Sequence, residues 1–414
     1  MKPGPAAGTR EQPIRVVSTS SLRAPQASQL KVLPPLALYV HVPWCLKKCP
    51  YCDFNSHELR GELPEQSYID ALLADLEQAL PGIWGRRVAS VFIGGGTPSL
   101  LSAAAMERLL SGLRAALPLH PYAEVTLEAN PGTFEAARFR SYRDLGINRL
   151  SLGVQSFDPE KLASLGRVHS ADEARRAIEF AQQCFENFNL DMMYALPQQS
   201  LAQAGADVEA ALAYAPPHIS AYHLTLEPNT LFHRHPPPLP DDDIAADMQE
   251  AIENRLHDAG YLHYETSAFG KPGYAARHNL NYWEFGDYLG IGAGAHSKIS
   301  FPGRIVRELR RKQPQAYMES VAGGAHIMER HEIGDSERPF EFMMNALRLT
   351  GGFPIALFAE RTGMTITSIA RELETAERRG LIERDHLRIR PTLRGQRFLN
   401  DLLQIFLQQS RTAA

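Results

Sequence analysis

The sequence predicts an α/β fold, a partial (β/α)6 TIM-like barrel followed by a helical, winged-helix-like C-terminal domain. Three observations predict it. Six short runs rich in β-branched and aromatic residues alternate with helical spacing between Leu36 and Pro228, the pattern of βαβ units. Polar residues gather just past the end of each run, where (β/α) barrels keep their functional groups. From about Phe340 the pattern changes to short helices and a hairpin.

The runs at 36–43, 88–94, 124–130, 149–156, 187–194 and 218–226 read as strands of a parallel, curled sheet. Between them, Ile69, Leu72, Leu73, Leu76 and Leu80 share one helix face, as do Met106, Leu109, Leu110, Leu113 and Leu117. Ser102 suits the cap of the second helix, and Gly146 closes the third. Cys184, inside an apolar helical pattern, reads as a small buried hydrophobe.

The first strand runs into Cys45, Cys49 and Cys52, three thiols within eight residues. An odd set this close cannot pair internally as disulfides and favours a shared metal. A structural zinc site is normally closed by two separated pairs of ligands, and Cys184 is the only other cysteine. Three thiolates on one loop suit a [4Fe–4S] cluster with one iron open to an outside ligand. The ring of polar groups at the other strand ends consists of Gly94-Gly95-Gly96-Thr97, Glu128, Gln155, Asp191, Thr225 and Glu227. Glycines let the backbone approach a ligand closely, carboxylates suit ribose or amino groups, and Arg167 offers a planar fork to a carboxylate.

Past the sixth strand, a proline-rich loop holds His233 and His235, both read as solvated, and ends in three aspartates that suit a helix N-terminus. That helix places Ile244, Met248, Ile252 and Leu256 on one side and stops at Gly260, and Tyr264–Phe269 reads as one further strand. The stretch Arg277-His278-Asn279-Leu280-Asn281-Tyr282-Trp283 precedes a glycine-punctuated run ending in His296. Imidazole beside aromatics offers an axial ligand and flat apolar walls, the parts a haem site requires. His296 is placed to line the same mouth. The Gly380–Ile389 segment reads as the wing of a winged helix, yet residues 340–414 carry 11 basic and 8 acidic side chains intermixed, a thin excess for binding nucleic acid.

Composition narrows the class further. The 43 basic and 47 acidic residues of the 414-residue chain give no global attraction to nucleic acid or membrane. No apolar run reaches the roughly 18 residues of a transmembrane helix, while peripheral membrane contact stays open. The cysteine usage points to a reducing compartment, with the cytoplasm as the default. Residues 1–33, rich in Pro, Ser, Ala and Gly, read as a disordered arm.

The C-x3-C-x2-C spacing with Tyr51 before the last cysteine resembles radical S-adenosylmethionine (SAM) proteins. Together with Tyr39-x-His41-x-Pro43, the glycine run, Glu128, Gly153-Val-Gln155, Arg167 and Asp191, it resembles the family of oxygen-independent coproporphyrinogen III oxidases and their haem-chaperone relatives, from about residue 36 onward. The resemblance implies cluster ligation by the three thiols and SAM contacts at Tyr39, Tyr51, Gly95, Gly96, Thr97, Glu128, Gln155, Arg167 and Asp191. It divides the chain into an arm (1–33), a barrel core (34–240), a barrel-completing haem-signature region (241–335) and a C-terminal domain (336–414). Phe54 stands where the oxidases carry a further cysteine, and His278-Asn279-x-x-Tyr282-Trp283 is similar to the haem-chaperone branch. That branch implies haem held with His278 involved and delivered to respiratory haem-protein clients, without coproporphyrinogen oxidase activity. The rival reading is a radical enzyme that decarboxylates coproporphyrinogen III, and a third is a DNA regulator. An exposed haem site favours a dimer, although no residue requires one.

Overall fold

The computed structural model describes residues 29–133 and 136–407. The strands expected from the sequence form as β1 (Leu36–Val42), β2 (Val88–Gly95), β3 (Leu119–Ala129), β4 (Arg149–Gln155), β5 (Asn187–Tyr194) and β6 (His218–His223), all parallel. The intervening helices include α1 (Glu65–Ala79), α2 (Ala103–Ala116), α3 (Ala136–Asp144), α4 (Ala171–Cys184) and α5 (Leu201–Leu212). Ser102 Oγ caps α2 by accepting the Ala105 N–H, and Gly146 turns the chain out of α3 at φ +96°. Alternation along the strands explains the layering. Leu38, Val40, Val91, Ile93, Leu127 and Leu152 bury against the helices in one apolar cluster that also takes in Cys184. The opposite face carries Tyr39, His41, Glu128, Ser151 and Asp191. The sheet curls enough that Glu128 and Asp191, two strands apart, feel each other's charge.

Beyond β6 two expectations need correction, and one stretch takes a form the sequence left open. In α6 (Asp242–Asp258) the buried stripe is Ala245, Met248, Ile252 and Leu256, and Ile244, one residue off that face, is exposed. The run at 264–269 is a hairpin, β7 (Leu262–Glu265) and β8 (Ala268–Gly270), whose turn is held by the Thr266 N–H on the Arg348 carbonyl at 3.1 Å. The histidine stretch is a helix, α7 (Arg277–Trp283), and the glycine-punctuated run after it contains a seventh parallel strand, β9 (Asp287–Ile291), on the free edge of β1. From β9 the sheet continues antiparallel through β10 (His296–Phe301), β11 (Arg304–Arg310) and β12 (Ile327–Glu332). The sheet order is β12-β11-β10-β9-β1-β2-β3-β4-β5-β6-β8-β7, an open barrel with extra strands at both edges.

The C-terminal part runs α8 (Arg338–Ala346), β13 (Phe353–Pro354), α9 (Ile355–Thr362), α10 (Ala370–Arg378), β14 (Ile382–Arg384) and β15 (Arg388–Pro391), the order of a winged helix with β14 and β15 as the wing. Its core stacks Phe342 edge-on against Phe353 and Phe358. Arg397 pairs with Glu253 of α6 at 2.6 Å and fastens it to the barrel. Of the expected arm, residues 1–28 lie outside the described residues. Its end is not loose: Leu30 buries in the C-terminal core, and its N–H donates to the Pro302 carbonyl at 2.8 Å. An apolar side chain on a short tether to β1 finds burial there more favourable than solvent. No helix among the described residues is long and apolar enough to cross a membrane.

Candidate functional site

The cysteine loop leaves β1 and is clamped at its base. Trp44–Cys45 pairs with His57–Glu58, and the Leu59 N–H donates to the Cys45 carbonyl at 2.8 Å. Lys48 Nζ ties the loop across its width through the Phe54 and Ser56 carbonyls at 3.2 and 3.0 Å. From inside the barrel, the Tyr39 hydroxyl meets His41 Nδ1 at 3.0 Å, and His41 Nε2–H donates to the Asn55 carbonyl at 2.9 Å. Asn55 in turn donates to the Ala293 and Lys312 carbonyls at 2.9 and 2.8 Å, joining the loop to the turn before β10 and to the segment that follows β11. Burial holds His41 down at about 4, so the ring is neutral and serves this hydrogen-bond chain.

The three thiols are free and half-buried. Burial pushes Cys45 and Cys52 up, against hydrogen bonds from Thr97 and Ser56 respectively. Arg167 Nη1 lies 3.6 Å from Cys49 Sγ, while its Nη2 donates to the Gly153 carbonyl at 2.8 Å. The loop therefore offers three soft donors next to a fixed cation, a donor set that fits an iron–sulfur cluster. Among the described residues no three Cys, His, Asp or Glu side chains converge on a single-ion point.

A cavity of about 340 Å³ opens against the loop. It brings together Cys45, Cys49, Tyr51 and Cys52 with Gly95, Gly96 and Thr97 from the second strand end. Glu128, Gln155, Arg167, Asp191 and Thr225, from the following strands and the loops after them, complete it. The glycines are required by the protein itself. A Cβ at Gly95, where φ is +112°, would lie 2.5 Å from the His41 ring, and one at Gly96 would lie 2.6 Å from the Trp44 carbonyl. The amide protons of the run are already engaged within the protein. The Gly95 N–H is spent on Glu128 at 2.9 Å, that of Gly96 on Val42 and that of Thr97 on Trp44, both at 2.7 Å. What the run has left for a ligand is carbonyl oxygen, which suits an ammonium better than a carboxylate.

Burial lifts the Glu128 carboxyl to about 8, with the Gly95 N–H opposing the rise and the nearby Asp191 adding to it. Burial also lifts Asp191, against hydrogen bonds from Ser151 and Asn189, both at 2.8 Å. Burial makes the charged form of both carboxyl groups costly, and an incoming cation would offset that cost. Gln155 ends β4 at φ +69°, left-handed backbone that is costly for a side-chain-bearing residue.

A second cavity, of about 670 Å³, adjoins the first and shares Cys52, Phe54, Gly95 and Glu128 with it. Tyr39, Tyr282 and Tyr288 line it, with His41, His57 and His296. His278 is not among them. It is 1% exposed, beneath Tyr39 and stacked on Phe92, with Nδ1 at 3.0 Å from Ser90 Oγ and Nε2 at 3.3 Å from the Tyr282 hydroxyl. Burial, helped by the Arg149 charge, lowers it to about 3. His278, the axial ligand suggested by the sequence, therefore lies beneath the cavity and not in its wall. The first N–H groups of α7, those of Arg277 and His278, are taken by Glu124 at 3.2 and 3.1 Å. Sequence reasoning missed Asn55, His57 and Lys312, which lack any local signal. His41 was within reach, since it lies two residues from Tyr39 on the same strand face.

Comparison with known proteins accords with this geometry. The Radical SAM superfamily matches residues 39–211, and the HemN C-terminal domain matches residues 335–398. The chain is 50% identical over 381 residues to the heme chaperone HemW of Escherichia coli (strain K12), covering 91% of this chain and 99% of that one. With the heme chaperone HemW of Bacillus subtilis (strain 168) the identity is 32% over 380 residues, covering 89% and 98%. The solved structure of the coproporphyrinogen III oxidase HemN from Escherichia coli superposes with a TM-score of 0.78 at 23% identity, over 90% of each chain, a likeness of fold. These matches run along nearly the whole length of both chains, and the chain belongs to the HemW family within the radical SAM superfamily.

Proposed function

We propose that this protein is a haem chaperone: it binds haem beside a [4Fe–4S] cluster and SAM, and passes the haem to respiratory haem-protein clients. The observation that carries the reading is the second cavity, which has the volume of a cofactor site, about 300–1,000 Å³, and shares a wall with the cysteine pocket. Its relatives named as heme chaperones support the same reading.

Cys45, Cys49 and Cys52 would hold the cluster, and Arg167 would offset its negative charge at Cys49. When bound there, the cluster supplies an open iron and a one-electron couple. Glu128 and Asp191 would take the cationic and hydroxyl groups of SAM, and Tyr51, Gln155 and Thr225 line the same cavity. Phe54, exposed on the loop between the two cavities, puts an apolar ring where the oxidases carry a thiol.

The test is an anaerobically reconstituted sample titrated with hemin, then mixed with apomyoglobin and, separately, with coproporphyrinogen III. The expected result is one haem bound per chain, transfer to apomyoglobin, and unchanged coproporphyrinogen. Turnover of coproporphyrinogen without haem binding would overturn the reading in favour of an oxidase.

A further inference from the structure

Four histidines lie in or directly under the second cavity, and their surroundings differ. His41 has both ring nitrogens engaged, by Tyr39 and the Asn55 carbonyl. His278 likewise has both engaged, by Ser90 and Tyr282, and is fully buried. His57 Nε2 lies 3.2 Å from the Lys312 carbonyl. His296, at the first position of β10, is exposed, lines the cavity, and has no hydrogen-bond partner on either ring nitrogen among the described residues.

Its backbone is nevertheless fixed. The turn from β9 to β10 passes through Gly292 at φ +108° and Gly294 at φ +80°. A Cβ at Gly294 would come within 2.3 Å of the Asn55 amide, so that turn lies directly against the cysteine loop. Tyr39, Tyr282 and Tyr288 give the same cavity aromatic surface. Two lysines line it as well: Lys48 Nζ is spent on loop carbonyls, whereas Lys312 is exposed and its Nζ has no hydrogen-bond partner among the described residues. A free imidazole, an aromatic floor and a lysine ammonium are the groups that take the iron, the ring and a carboxylate of a metalloporphyrin.

Resting on the haem reading above, we infer that His296 is the axial ligand to haem iron, that Lys312 faces a propionate, and that His278 is a positioning residue for Tyr282 in the cavity floor. Burial and the charges of Arg307 and Lys312 depress His296, which keeps its lone pair available at neutral pH.

The experiment uses the full chain, reconstituted anaerobically, as wild type, His296→Ala and His278→Ala, titrated with hemin and separately with iron-free protoporphyrin IX. His296→Ala is expected to weaken hemin binding at least about tenfold and to move the Soret band, as loss of a ligand-sphere group does. Added imidazole should restore the band, and protoporphyrin affinity should stay within about twofold of wild type because only the iron bond is lost. His278→Ala should keep the wild-type Soret position. Unchanged hemin affinity and Soret band in His296→Ala, with wild type binding normally, overturns the ligand assignment and leaves the chaperone reading intact. Absence of hemin binding in the wild type overturns both.

Discussion

The Glu128 carboxylate accepts the Gly95 N–H at 2.9 Å in the wall that the two cavities share. Burial holds the group at about 8, far above the usual carboxylate range. An acid raised on folding binds protons more tightly in the native state, so it opposes folding as pH climbs from its unfolded value to the folded one. Glu128→Gln should therefore gain stability relative to wild type between about pH 4.5 and 8 and level off above that. Chemical denaturation across this range checks it, and a difference independent of pH would contradict the burial argument. For the same reason, binding of cationic SAM should release a proton and strengthen toward pH 8, readable by calorimetry in buffers of different ionisation enthalpy.

Asn55 carries the contact between the cysteine loop and the turn before His296. Asn55→Ala leaves the Ala293 and Lys312 carbonyls without that donor and should cost about 1–3 kcal/mol. Loop loosening should also speed loss of cluster absorbance in air. Decay as slow as wild type would mean that the loop is held by Lys48 and the His57 pairing alone.

Asp75 on α1 is fully buried among Arg310, His326 and Tyr317, with the Tyr317 hydroxyl donating to it at 2.8 Å. Burial by itself would raise its carboxyl, but Arg310 and His326 overcome that and hold it below 3.8. A depressed acid stabilises the fold above its unfolded value and loses that contribution as pH falls through the folded value, so the effect fades only below about pH 4. Asp75→Ala strands the buried Arg310 charge and should cost about 3–5 kcal/mol at neutral pH. Thermal melts of the variant measure this; a loss under about 1 kcal/mol would show that Glu308, 3.5 Å from Arg310, suffices.

The three arginines of the wing already have partners within the protein. Arg384 pairs with Glu377 and Arg390 with Glu383, at 2.9 and 2.7 Å, while Arg388 Nη2 donates to the Gly352 carbonyl at 3.0 Å. The full chain should give no salt-sensitive shift with duplex DNA in a gel assay. A shift that disappears with added salt would restore the nucleic-acid reading.

Much of this was legible because strand and helix periods differ and the chemistry sits at strand ends. Leu38, Val40 and Val42 alternate with Tyr39 and His41, so the wall and the site are written in one run of residues. The thiol spacing likewise needs no long-range information. The seventh strand was hidden because Gly290 and Gly292 imitate a loop, although Gly290 is there for packing: a Cβ would lie 2.0 Å from the His296 carbonyl. The position of His278 was hidden for another reason. Whether a histidine beside aromatics faces outward or plugs a barrel depends on Glu124, more than 150 residues earlier, receiving the helix N-terminus. The hairpin at Thr266–Ser267 carries no glycine or proline, and the Arg348 carbonyl, far along the chain, supplies its support.

Quantifying non-haem iron, acid-labile sulfide and haem on one anaerobically reconstituted sample, for wild type and the Cys45→Ser/Cys49→Ser/Cys52→Ser variant, tests the arrangement most directly. Wild type should hold about four non-haem irons, four sulfides and one haem per chain, whereas the variant should lose the irons and sulfides and keep most of its haem. Haem lost in parallel with the cluster, or zinc in place of iron and sulfide, would contradict two adjoining sites with separate ligands.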